Sequence, residues 1–401
     1  MSKKRILIIS EYFYPEEFKI NEVALAWKEK GYDVDVLTQN PTYPIGNIYD
    51  GYDNKWYSKE VYEEINIFRV KAVTGYKVNL LKKLLKYFTF MFLGSIISLK
   101  IGRKYDYVFG FDVGALTGMV PAIMLKKFYN KPTTLWIQDI WPDSVYAYGF
   151  KKTKILEFFM TKFVKFVYRN TSNFAISGKG FEKRILPYIH EEKEIMYAPN
   201  WADELNKNLE KFSFSENNKI NFTFAGNIGK VQNLENVIIA FKSLTGKDKK
   251  MAQLNIIGDG SELDNLKRLV NIHDSSEVVF WGKKPRNEMY RYFNASDFLI
   301  VSLIDKPIFL LTVPAKIQTY IAASKPILGI INGDAANIIK ENNLGYCTRP
   351  DSVDEIRAVF LKAINANKNE IDDFTKNCKV LTSTTFNKKT IIENLLILLR
   401  G

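Results

Sequence analysis

Residues 5–10 (RILIIS) form an unbroken apolar run bounded by polar residues, the pattern of a strand buried on both faces of a parallel sheet. Val23, Ala24, Ala26 and Trp27 then recur at helical spacing across residues 21–30. Gly31 stops that helix, and residues 32–38 (YDVDVLT) read as a second strand. Further strands are expected at 107–111, 133–137 and 174–176, with helical segments between them. Strand and helix in regular alternation predict a doubly wound α/β sheet.

The pattern restarts after residues 203–218, a polar stretch with no strong period. Strands are expected at 221–225, 253–257, 277–281, 297–302 and 326–331, with helices at about 234–244, 262–270, 288–294 and 315–323. This predicts two Rossmann-like domains, residues 1–195 and 196–385, with the link inside 185–215. A last apolar-periodic helix at 387–399, in the segment 386–401, is expected to pack back on the first domain. Two such sheets are expected to face each other across a cleft, with ligands held by the loops that follow their strands.

Three of those loops carry candidate chemistry. FTFAGNIG at 222–229 ends a strand in two glycines, Gly226 and Gly229, just before a helix. Glycines let backbone amides approach an anion, and a helix start adds partial positive charge, so a diphosphate fits there, with Lys230 and Gln232 as further donors. A plain strand-to-helix turn has the same letters. In VPAKIQTYIAASKP at 313–326, Pro314 is expected in the first helical turn and Lys316 just after it, where a cation is disfavoured unless an anion binds. A solvated surface lysine is the alternative. WIQDIWPDS at 136–144 sets Asp139 and Asp143 near Trp136 and Trp141, a combination suited to sugar hydroxyls and ring faces, with Asp139 as a base toward an acceptor hydroxyl. A turn or N-cap role for the aspartates is the alternative. Asp33-Val34-Asp35 has the letters of a metal motif but lies in a strand, and His190 and His273 stand alone in polar surroundings.

Composition narrows the setting. The chain has 401 residues, 46% of them hydrophobic, enough for two cores. Its two cysteines, Cys347 and Cys378, form no metal or disulfide pattern, so a reducing compartment and no structural zinc are expected. The N-terminal residues lack a signal-peptide pattern, which adds to the expectation of a cytoplasmic protein. The net charge of +13 is concentrated in two stretches, 77–104 and 151–169, that also carry many large apolar residues. That mixture suits an anionic membrane surface rather than nucleic acid, although two ordinary helices with solvated lysines would read alike. The charge-free run 87–99 is too short to span a bilayer, which takes roughly 20 residues, so peripheral attachment to the inner face of the membrane is expected.

Taken in order, several strings resemble the family-4 glycosyltransferases, especially the bacterial branch that builds O-antigen and capsule repeats. They are YFYPE at 12–16, DIWPDS at 139–144, IS at 176–177, PNW at 199–201, GNIG at 226–229 with Gln232 and Leu234, IGDG at 257–260, and PAK at 314–316 through ASKP at 323–326. The resemblance spans nearly the whole chain. It implies a GT-B fold that retains anomeric configuration, usually without a metal, and with no cofactor beyond a nucleotide-sugar donor. The donor would be held mainly by the second domain: the base near Gly282, Lys283 and Lys284, the diphosphate by the loop with Gly226, Asn227, Gly229 and Lys230 and by Lys316, with Gln232, Gly258 and Pro314 as further donor-binding residues. The acceptor would lie on the first domain, near Glu11, Tyr14, Lys19, Asn21, Trp141 and Asp143. Where the family commonly carries two glutamates, the second holding ribose, this chain has Leu311 and Thr319, so Gln318 or Thr319 would substitute.

The expected activity is transfer of a sugar, such as an N-acetylated amino or deoxyamino sugar, from a UDP-linked donor to a polyprenyl-diphosphate-linked glycan in surface polysaccharide assembly. An inactive binding subunit and a UDP-sugar epimerase are the alternatives.

Overall fold

The structure is a computed structural model that describes residues 3–76, 80–147, 151–190, 192–202, 204–206, 208–214, 219–271, 277–307 and 309–401. Lys77, His273 and part of the 203–218 stretch lie outside the described residues. The chain divides into two compact units, Met1–Pro199 with Lys389–Gly401, and Asn200–Lys388. The first boundary falls a few residues beyond the expected 195/196, and the C-terminal crossing follows residue 388 rather than 385.

The first unit holds an eight-stranded sheet: β1 (Arg5–Ser10), β2 (Asp33–Gln39), β3 (Tyr57–Tyr62), β4 (Ile65–Val70), β5 (Tyr107–Asp112), β6 (Thr133–Ile137), β7 (Asn173–Ile176) and β8 (Ile195–Tyr197). Their order is β3-β4-β2-β1-β5-β6-β7-β8, parallel except for β3 against β4. Ile6 to Ile9 are fully buried, which explains why β1 is apolar on both faces. Strand order reverses between β1 and β5, so the loops after them meet at the topological switch point.

Right-handed crossovers place the helices Leu80–Ile101, Val120–Tyr129 and Lys154–Arg169 on one face of this sheet and Lys19–Glu29 on the other. The helix Lys388–Arg400 packs in this unit. The Trp27 indole donates to Ile392 O at 3.2 Å, and Lys30 pairs with Glu393 at 2.8 Å.

The Leu80–Ile101 helix corrects the expectation drawn from the run 87–99. It has 22 residues, and Leu81–Lys104 is long and apolar enough to cross a bilayer by length and composition. What argues against crossing is its inner face. Phe90 is fully buried, Ser98 donates to Pro121 O at 3.1 Å, and Lys86, expected among the exposed cations, is only 2% exposed and paired with Glu11.

The second unit holds six parallel strands: β9 (Ile220–Ala225), β10 (Ala252–Ile257), β11 (Val278–Gly282), β12 (Phe298–Ser302), β13 (Ile327–Ile330) and β14 (Gly345–Thr348). The order β11-β10-β9-β12-β13-β14 is the dinucleotide-fold arrangement, with its switch point between β9 and β12. One core lies around Phe222, Phe241 and Phe360, and another around Tyr292, Ile317 and Tyr320. Asp35 of the metal-like triplet belongs to β2, where Tyr105, Lys104 and Asn66 all donate to its carboxylate, so strand register explains it.

Candidate active site

In the second unit, Gly226, Gly258 and Gly282 sit side by side where β9, β10 and β11 end. Gly226 N donates to Ile257 O at 2.9 Å, and Gly258 N donates to Gly282 O at 3.0 Å. A Cβ on Gly258 would lie 1.8 Å from Gly226 O, and Gly258 has φ +144, so only glycine fits there. The glycine loop differs from expectation in one respect. The amides of Gly226, Ile228 and Gly229 are donated within the protein, the last two to Asp259 O and Gln232 Oε1. Gln232 Oε1, rather than an open face of the loop, therefore accepts from the Gly229 amide at 3.0 Å. Asn227 and Lys230 are exposed on the same loop.

Lys316 lies against this rim. Pro314 is the cap of the Ala315–Ala322 helix, not its first turn as expected, because its ψ of 137° is extended; Lys316 is the second helical residue. Its side chain folds inward, with Nζ 3.8 Å from the centre of the Phe224 ring and close enough that a Cβ on Gly226 would lie 2.4 Å away. The ammonium nitrogen is buried and has no hydrogen-bond acceptor. Burial lowers its pKa to about 7. The surface-lysine alternative is thereby removed.

Two other expected donor groups turn back into the helix. Thr319 Oγ1 donates to Ala315 O at 3.0 Å, and the Gln318 amide nitrogen, oriented toward the carbonyls, donates to Pro314 O at 2.9 Å. Lys283 is exposed after β11, and Lys284 lies 5.9 Å from the Tyr292 ring.

In the first unit, carboxylates gather at the β1/β5 switch point. Glu11 follows β1, Asp112 ends β5 and Asp139 follows β6. Asp112 is 0% exposed and neither oxygen has a partner. Burial, then the charges of Asp139 and Glu11, push its pKa well up. Asp139 accepts from Gly114 N at 2.9 Å, and burial raises it too. Glu11 lies 3.7 Å from Lys86 Nζ, yet burial outweighs that cation and raises Glu11 to about 7, while burial lowers Lys86. Glu16 accepts from Thr42 N and Tyr43 N, and burial also brings it to about 7.

Other sequence-derived candidates have structural partners. Asn21 donates to Glu16 O at 2.7 Å, Lys19 pairs with Glu22 at 3.3 Å, and the exposed Tyr14 stacks on Tyr62. Asp143 begins the short helix Asp143–Ala147. The tryptophans do not present the sugar-stacking faces expected of them. Trp136 is fully buried with its indole on Ala198 O, and Trp141 is 8% exposed with its indole on Gly114 O. Asp112, Glu16 and Lys86 were missed as site residues. The available signal was an aspartate closing the apolar strand at 107–112 just before Gly114. Among the described residues, no group of three His, Cys, Asp or Glu side chains is placed to hold a metal ion.

Glu11 and Glu16 bind their protons more tightly in the folded chain than in the unfolded one. The native state therefore holds more protons between about 4.5 and about 7, and stability falls as pH rises through that window. Thermal melts across it are expected to show a falling midpoint, and Glu16→Gln is expected to flatten the fall. A midpoint that climbs from pH 5 to 7 with the same slope in both proteins would refute this.

Residues 206–380 match the family model described as Glycosyl transferases group 1. The chain is 26% identical over 298 residues to "Probable glycosyltransferase WbjE" of Pseudomonas aeruginosa, covering 68% of this chain and 71% of that one. It is 22% identical over 273 residues to "Putative colanic acid biosynthesis glycosyl transferase WcaI" of Escherichia coli K12, covering 63% of this chain and 64% of that one. Among solved structures, one described as "Trehalose-6-phosphate from E. coli bound with UDP-2-fluoro glucose" superposes with a TM-score of 0.71 at 11% identity over 99% of both chains, a likeness of fold. Residues 206–380 are thus similar to a glycosyltransferase group 1 domain, in a chain of GT-B fold.

Proposed function

We propose that this chain moves a sugar from a UDP-linked donor to a polyprenyl-diphosphate-linked glycan during assembly of a surface polysaccharide, working at the cytoplasmic face of the membrane. The observation that carries this reading is Lys316, a buried ammonium with no acceptor, beside the glycine rim and a helix start. A buried cation without a counter-charge is costly, and a diphosphate supplies the missing charge. UDP is supported by the likeness to a fold-mate described with UDP-2-fluoro glucose, and the polysaccharide setting by the name of the E. coli relative. The transferred group would be a hexose or an N-acetylated amino sugar.

In this reading the bond between the anomeric carbon and the diphosphate oxygen breaks. The acceptor oxygen bonds the same carbon from the face the diphosphate leaves, so configuration is retained, and the acceptor proton passes to the departing diphosphate. No metal is needed, because Lys316 and the start of the Ala315–Ala322 helix offset the charge that develops there. Within the first unit, Asp139, made more basic by burial, is the group suited to accept a hydrogen bond from an acceptor hydroxyl. The Gly229 amide exchanges its acceptor, Gln232 Oε1, for a phosphate oxygen.

A UDP-loaded site keeps Lys316 protonated, so binding takes up a proton above about pH 7. UDP affinity by calorimetry is expected to fall by up to about tenfold per pH unit above that point, and Lys316→Met is expected to abolish the dependence. A thermal-shift screen of UDP, GDP and their sugars tests the nucleotide: saturating UDP should raise the midpoint and GDP should not. No shift with any of them would overturn the reading. A second reading, a nucleotide-sugar-binding subunit without turnover, is favoured by Gln318 and Thr319 spending their hydrogen bonds on their own helix. UDP binding without release of UDP from any UDP-sugar would select it.

A further inference from the structure

The helix Leu80–Ile101 carries two opposed faces. Lys86, Phe90 and Ser98 are buried on the inner one, while Leu81, Leu85, Phe88, Phe92 and Ile96 are exposed. These five recur at intervals of four, three, four and four, a continuous outward stripe. Phe92 is 65% exposed, unusual for an aromatic side chain on a helix that also docks to a core.

A second helix on the same face of the sheet repeats the arrangement. Lys154–Arg169 buries Val164, Val167 and Tyr168 and exposes Ile155, Phe158 and Phe159. Between the two lies Val120–Tyr129, whose Lys127 sits 5.3 Å from the Phe166 ring and whose Phe128 is exposed.

The charge around these side chains has one sign. Residues 80–104 contain no Asp or Glu, and Lys82, Lys100 and Arg103 are exposed, while Lys104 is paired with Asp35 at 3.0 Å. In the second helix and the residues just before it, Lys151, Lys152, Lys154 and Lys162 are exposed, and the only acid, Glu157, is paired with Lys152 at 2.9 Å. Lys162 lies 4.3 Å from the Phe158 ring, so cation and apolar surface are presented together.

We infer that this helical layer is the membrane-docking surface of the protein, lying in the plane of an anionic bilayer with the phenylalanines in the acyl boundary and the lysines at the headgroups. Exposed aromatic and aliphatic side chains ringed by cations match that boundary in both chemistry and sign. The helix Leu80–Ile101 has the composition to span, but its inner face is occupied by the protein, including the Lys86–Glu11 ion pair. Crossing would abandon those contacts, whereas lying flat keeps them. The inference goes beyond the sugar-transfer reading and does not depend on it, since lipid binding is measured without donor or acceptor.

Flotation with vesicles of phosphatidylglycerol and phosphatidylethanolamine, against phosphatidylcholine alone, tests it. The parent is expected to float with the anionic vesicles at low salt and to be released by alkaline carbonate. Phe88→Gln with Phe92→Gln, and separately Phe158→Gln with Phe159→Gln, should each lower vesicle partitioning roughly hundredfold, about tenfold per phenylalanine withdrawn. Their melting midpoints should stay near the parent's, because the side chains are exposed. Lys82→Glu with Lys154→Glu should weaken binding to anionic vesicles without touching the apolar stripe, and serves if the phenylalanine variants fold poorly.

Failure of the parent to float, or flotation unaffected by both kinds of variant, overturns the inference. Resistance to carbonate would instead show a spanning helix. A parent dimer made monomeric by the phenylalanine substitutions would show a contact between copies. Either result overturns the proposal too.

Discussion

Lys316→Met is expected to lower the rate of sugar transfer by about 10²–10³-fold, the usual loss when one preorganised donor to a developing negative charge is removed. The same substitution is expected to leave the protein as stable as the parent, or more so, at pH 7. The reason lies in the surroundings of the ammonium. It is buried against Phe224, it has no acceptor, and burial lowers its pKa to about 7. The unfolded chain holds that proton more tightly, with an ordinary value of 10.5, so burying Lys316 costs stability at neutral pH that returns as pH rises from about 7 to about 10.5. Methionine fills a similar volume without a charge, so the cost disappears along with the proposed contact to the diphosphate. The checks are turnover with UDP-sugar donors and the melting midpoint, measured on one preparation. A purely structural lysine predicts the reverse, an unchanged rate with a lower midpoint.

Gly258→Ala is expected to destabilise the second unit by roughly 2–6 kcal/mol, from about 1–3 for a side chain in a backbone region reserved for glycine and a similar amount for overpacking. At φ +144 its Cβ would meet Gly226 O at 1.8 Å, and that obstacle is backbone, which cannot rotate away. The strand ends of β9 and β10 would separate, moving Gly226 off Lys316. A melting midpoint lower by on the order of 10 °C is expected, with UDP affinity reduced in the protein that remains folded. Gly31→Ala is the comparison. Gly31 also has positive φ, but a Cβ there meets nothing within 4 Å, so only the backbone strain should register. Equal losses at the two positions would show that close approach at the rim is unimportant.

Lys86 and Lys316 show why sequence could not separate roles by residue type. Both are lysines on helices. One is buried with a carboxylate partner, while the other is buried without any acceptor. Trp136 makes the same point from the opposite side. Beside Asp139 it suggested a sugar platform, yet β6 is central to its sheet, and the indole is consumed by the core.

Alternation of apolar strands with amphipathic helices, interrupted once, was enough to specify two doubly wound sheets, because a strand covered on both faces must be apolar throughout and a covering helix must be apolar on one side. The glycines at the ends of β9, β10 and β11 were readable for the same local reason. The β3–β4 hairpin escaped, since β3 is an edge strand, YSKEVY, with alternating exposure and charges that read as loop. The helices Val353–Ile364 and Lys368–Ser383 went unrecognised although each begins at a side-chain cap, Ser352 or Asn367. What only the tertiary structure decided was which polar groups are left without partners. Asp112 and Lys316 are ordinary charges until the sheet and its helices close around them, and desolvation, which depends on every neighbour at once, turns them into candidates for chemistry.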